Sequence, residues 1–135
     1  MHFTDQLVKR LKEEFPERSF EIAAPPGLVV TIPPDHPEVG AIEIYDEDGE
    51  LTVNIGRFTH CHFSPYNYSG FSDQELVVEL VDDTISFIRD VFLDKIVFWG
   101  AHSSSGGTYR VGVTPGTPIK PWGPRYVWSG EYRDA

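Results

Sequence analysis

Apolar residues recur along this chain in two rhythms, and the change from one to the other lays out the fold. Phe3, Leu7, Val8, Leu11 and Phe15 fall at helical steps, and Pro16 stops the run. Charged residues fill the opposite side, which predicts a first helix lying on a core. From Phe20 the rhythm shortens. Apolar pieces at 20–23, 28–32, 41–45, 51–55 and 58–63 are separated by Pro25-Pro26-Gly27, by Pro33-Pro34-Asp35, by Pro37 and Gly40, by Asp46-Glu47-Asp48-Gly49 and by Gly56. Proline removes a ladder donor and glycine accepts positive φ, so each separator reads as a turn. The pattern predicts an antiparallel meander of four or five strands.

Helical spacing then returns. Ser72 and Glu75 have the spacing of a capping box, which satisfies orphan amides at a helix start. Val77, Leu80, Val81, Thr84, Ile88, Val91 and Phe92 form the apolar stripe, with Asp82, Asp83, Ser86, Arg89 and Asp90 mainly opposite. Such a helix is about 30 Å long, enough to cross a small sheet. Strand character resumes at 95–99 and 108–113, on either side of a glycine-bounded loop. A proline-rich irregular crossing spans 114–125, and Tyr126-Val127-Trp128 reads as a last strand. No repeat or compositional break divides the chain. The order predicts a single α+β domain over 1–135, with one antiparallel sheet of about five to seven strands and two helices packed on one face.

Charge narrows the partners. Twenty-one Asp and Glu oppose eleven Lys and Arg, for a net charge of −10. The acids cluster: 35–50 holds seven of them with no Lys or Arg, and 73–94 holds seven more against Arg89 alone. Nucleic-acid binding rests on Lys and Arg neutralising phosphates, so this balance argues against that ligand. It favours solubility and a basic protein partner. The best apolar run, 85–101, is interrupted by Arg89, Asp90, Asp94 and Lys95, so no membrane span is expected. The first fifteen residues lack a signal peptide's apolar core, and the lone Cys61 has no disulfide partner within the chain. The expected location is therefore cytoplasmic. Nothing in the pattern sets an oligomeric state.

Reactive side chains crowd together only at Phe58-Thr59-His60-Cys61-His62-Phe63. On a strand, alternate residues face opposite ways, which puts His60 and His62 with Phe58 on one side and Cys61 with Thr59 and Phe63 on the other. Two imidazoles do not close a zinc site. A third ligand would come from His102, His36 or a carboxylate, and no spacing singles one out. The simpler reading is a pair of histidines bonded to neighbouring groups, and a metal-dependent enzyme using His60 and His62 with His102 is the alternative. Cys61 reads as a small buried apolar residue, since a nucleophilic thiol needs a base and a lowered pKa. His102 beside Ser103, Ser104 and Ser105 lacks a nucleophile elbow, and Asp46-Glu47-Asp48 lacks the alternating ligands of a calcium loop. No cofactor motif is present, and no cofactor is expected. Tyr66, Tyr68 and Phe71 offer a second alternative, a ligand-binding module built on loop aromatics.

The acids remain the leading feature. Asp46, Glu47, Asp48 and Glu50 on a hairpin, with Asp82 and Asp83 on the long helix, are expected to form one acidic face for a basic partner. The phrases Val53-Asn54-Ile55-Gly56-Arg57-Phe58-Thr59-His60-Cys61-His62-Phe63, Val97-Phe98-Trp99 and Trp128-Ser129-Gly130 resemble those of small acidic bacterial domains of uncharacterised function. Some domains of that kind serve as immunity proteins against basic secreted toxins. The element order also resembles that of type III secretion chaperones, although the proline-rich tail departs from their closing helix. The resemblance implies a non-enzymatic protein-binding role and carries over no site residue.

Overall fold

Helices α1 (Phe3–Glu14) and α2 (Asp73–Phe92) form where the two apolar stripes lie, and they pack together on one face of a five-stranded antiparallel sheet. The computed structural model describes residues 3–24, 27–47, 50–56, 58–64, 70, 72–100, 106–112 and 125–132. The sheet is a meander of β1 (Glu21–Ile22), β2 (Gly27–Ile32), β3 (Ile42–Glu47), β4 (Glu50–Ile55) and β5 (Thr59–Phe63), paired in chain order. Its inner face carries Val30, Ile32, Ile42, Ile44, Leu51, Val53 and Ile55, all buried under Leu7 and Leu11 of α1 and Val81, Ile85 and Ile88 of α2. Each such side chain contributes about 1.5 to 3 kcal/mol by leaving water. This layer holds the domain together.

The α+β architecture agrees with the sequence, but the strands divide between two sheets. After α2, β6 (Ile96–Gly100) pairs with β7 (Gly106–Arg110) and β8 (Arg125–Val127), and β8 pairs with β9 (Gly130–Glu131), giving the order β7-β6-β8-β9. Ile96, Phe98 and Trp128 of this half join the same buried cluster as the helices. Phe58 links the two sheets, with its ring 6.3 Å from Phe98 and 5.4 Å from Tyr126. Sequence alternation places Phe58 beside His60 and His62. It is instead buried, because it precedes β5 in a turn where the two-residue period does not hold.

Both ends of α2 are defined by specific bonds. The Ser72 hydroxyl accepts from the Glu75 amide at 3.3 Å and the Glu75 carboxylate accepts from the Ser72 amide at 3.4 Å, completing the predicted capping box. At the other end the Asp94 amide bonds to the Val91 carbonyl at 3.1 Å and the Lys95 amide to the Asp90 carbonyl at 2.9 Å. That is a Schellman ending with Asp94, at φ 58°, in the left-handed position glycine usually takes.

One glycine fixes the strand that bears the histidines. Gly56 has φ +54°, and a Cβ there would sit 1.6 Å from the Val39 carbonyl oxygen. No side chain fits against that backbone, so the turn from β4 into β5 requires glycine. The turn sets the register, with Val53 opposite Cys61, Asn54 opposite His60 and Thr52 opposite His62.

Candidate functional site: the outer face of the five-stranded sheet

The two-residue period that buries one face of β2 to β5 exposes the other, and no helix packs there among the described residues. Two cross-strand rows build the surface. In one, Tyr45, Thr52 and His62 stand side by side; in the next, Thr31, Glu43, Asn54 and His60 do so. Beyond them Glu47 lies directly opposite Glu50 at the end of the β3–β4 hairpin. The five strands contain no Lys or Arg. The face is therefore polar and negative.

His62 is tied to this surface from two sides. Its Nδ1 lies 2.7 Å from Glu50 Oε1 and 3.0 Å from Thr52 Oγ1. The carboxylate accepts only, so Nδ1 carries the proton and donates it to Glu50. In the neutral ring this arrangement leaves Nε2 as the lone-pair acceptor. The His60 ring stands edge-to-face with His62, with centroids 4.8 Å apart, and both side chains are exposed. Tyr45 reports the local field. Partial burial first, and then the charges of Glu43 and Glu47, push its phenol above the ordinary range.

Cys61 lies on the opposite side, as alternation requires, between the buried Val53 and the helix-packed Phe63, whose ring is 5.9 Å from Phe87. Desolvation pushes its thiol up, which disfavours the thiolate a nucleophile would need. The triplet thus brings together His60 and His62 and keeps Cys61 apart. His102 and the aromatics Tyr66, Tyr68 and Phe71 lie outside the described residues, as does Asp48. Among the described residues, no group of three His, Cys, Asp or Glu side chains could hold a metal ion.

The expected acidic face is redistributed by the fold. Asp46 is 3% exposed and points inward, where its Oδ2 accepts from the buried Thr4 hydroxyl at 2.8 Å at the start of α1. Asp82 is paired with Arg10, so helix α1 neutralises it. Glu47 and Asp83 are exposed, and Glu50 serves His62. Glu43, which the acidic-face reading omits, belongs to the surface. Its alternation with Ile42 and Ile44 was the available signal. The same alternation puts Asp46 in phase with those two isoleucines, so its burial was also legible.

Trp99 and Trp128 are buried. Trp99 lies over Gly107, where a Cβ would come within 2.7 Å of the indole. No helix of the described residues is long and apolar enough to cross a membrane. Comparison with known protein families, with curated proteins and with solved structures finds no match.

Proposed function

We propose that this domain binds a basic protein through the outer face of its five-stranded sheet, in an immunity- or chaperone-type role in the cytoplasm. The observation that carries the reading is a sheet face with Glu43 and Glu47 on β3, Glu50 on the adjoining β4, and no Lys or Arg in any of the five strands. Glu47 and Glu50 stand opposite each other across β3 and β4, an arrangement that costs stability because like charges repel. His62 draws on one of the two carboxylates, and Glu47 is left exposed. A Lys- or Arg-rich surface docking there relieves that repulsion and speeds the encounter. Tyr45, half-buried between the acids, supplies an aromatic contact of the kind enriched at interfaces. The reading needs no catalytic group.

The test is a matched pair of baits, wild type and a Glu43→Lys/Glu47→Lys variant, followed by affinity measurement on the purified partner at low and high salt. The expected partner has an isoelectric point above about 9. It binds wild type only, and its affinity falls at least about tenfold with added salt. A partner that binds both baits equally, or whose affinity is insensitive to salt, overturns the reading.

A further inference from the structure

We propose that His60 and His62 form an open two-imidazole chelate for a late first-row divalent ion, Cu²⁺ before Ni²⁺ and Zn²⁺, with Glu50 as the residue that positions His62. The site rests on residues of the isolated chain and does not depend on the partner-binding reading.

Three observations carry it. The first is spacing. With a metal–nitrogen bond of about 2.1 Å, two imidazoles sharing one ion stand about 4.5 to 5.2 Å apart between ring centres as the ligand angle opens from square to tetrahedral. The two rings stand 4.8 Å apart on the same face of β5. Glu50 holds the His62 ring, so any adjustment toward a shared ion falls to the His60 ring, and both rings are exposed.

The second is orientation. Glu50 holds the Nδ1 proton of His62 at 2.7 Å, and Thr52 lies 3.0 Å from the same nitrogen. A carboxylate on the far nitrogen of a ligating histidine fixes the tautomer and raises the basicity of the other nitrogen. Here that other nitrogen is Nε2. Register makes the contact possible: His62 faces Thr52, two residues beyond Glu50 on β4.

The third is the field. Glu43 shares the His60 row, Glu47 faces Glu50, and the strands offer no competing cation. A divalent ion is drawn to this face. The described residues supply no third ligand of the usual types, so the remaining positions belong to water. The site binds more weakly than a closed four-ligand centre, and its metal preference follows the general stability order for nitrogen ligands.

The test titrates CuCl₂, NiCl₂ and ZnCl₂ separately into untagged protein in a His2→Ala background, so that the amino terminus does not compete. Calorimetry gives affinity, and electron paramagnetic resonance counts nitrogens on the Cu²⁺ ion. One equivalent of Cu²⁺ with two imidazole nitrogens is expected. His60→Ala and His62→Ala should each weaken binding at least about tenfold, and Glu50→Gln about tenfold, as positioning carboxylates do. His36→Ala should leave it unchanged. His60 and His62 are exposed and Glu50 and His36 are half-buried, and unchanged thermal melts identify folded variants. Equal affinity in wild type and the His60→Ala/His62→Ala double variant overturns the site. Unchanged affinity in Glu50→Gln overturns the positioning role of Glu50.

Discussion

The carboxylate of Asp94 accepts two hydrogen bonds from Ser129, at 3.0 Å from its amide and 2.5 Å from its hydroxyl. Asp94 is also the only non-glycine described residue with positive φ, so it ends α2 and pins the β8–β9 hairpin at once. The hairpin turn carries Trp128, which is buried 5.6 Å from Phe92. The single side chain therefore couples the helix end to the last two strands. Asp94→Ala should destabilise the fold by about 2 kcal/mol, from the left-handed penalty on a Cβ and the two lost bonds. Asp94→Gly should cost less, since glycine relieves the backbone while losing the same bonds. Urea unfolding of the two variants checks the order, and an Asp94→Gly variant less stable than Asp94→Ala would falsify it.

Thr4 and Asp46 form a second long-range pair, buried and 42 residues apart. The carboxylate meets the first turn of α1, where the helix dipole favours negative charge. Thr4→Val should cost about 1 to 3 kcal/mol by removing a donor from a buried acceptor. Asp46→Asn should cost less, because an amide oxygen accepts the same bond. Denaturant midpoints measured at neutral pH decide it.

The Glu47–Glu50 repulsion gives a prediction with opposite signs in two assays. Glu47→Lys replaces a like-charge pair by an attractive one and should raise the melting temperature by about 1 to 4 °C. The same variant should weaken association with a basic partner. Calorimetric melting is the cheaper readout, and a lowered melting temperature would count against an unfavourable opposition of these two acids.

Alkaline pH should weaken the fold. The Cys61 thiol is pushed up by desolvation, and the Tyr45 phenol by partial burial and by Glu43 and Glu47. In both cases the unfolded chain ionises first, so over that interval it binds fewer protons than the folded one. Stability is then complete below the ordinary thiol range and falls as pH rises through about 8.5 and onward to about 10. Cys61→Ala should flatten the first part of the fall, and Tyr45→Phe the later part. Urea midpoints between pH 7 and 10.5 test this; a wild-type profile without a decline contradicts the assignment.

The histidine pair was legible because it is a local matter. Alternation along β5 puts His60 and His62 on one side and Cys61 on the other, and the fold does so. The partner of His62 was not legible. Glu50 reaches it across a ladder whose register is set by Gly56 against Val39, a contact between backbone segments. The acidic surface was legible only in part. Acids close in sequence look like one patch, but pleating sends Asp46 inward and Glu47 outward, and Arg10 reaches Asp82 from 72 residues away.

Consecutive residues alone determined the two helices, the Ser72 cap, the five-strand meander and the opposition of Cys61 to its flanking histidines. Those features follow from the periods of 3.6 and 2 that backbone geometry imposes on any local segment. Tertiary structure alone decided that β6 starts a second sheet, that Phe58 bridges the two, that Asp94 holds Ser129, and that Arg10 pairs with Asp82. Those outcomes depend on which distant segments compete for the same buried surface and the same hydrogen-bond donors, and that competition exists only once the chain has closed on itself.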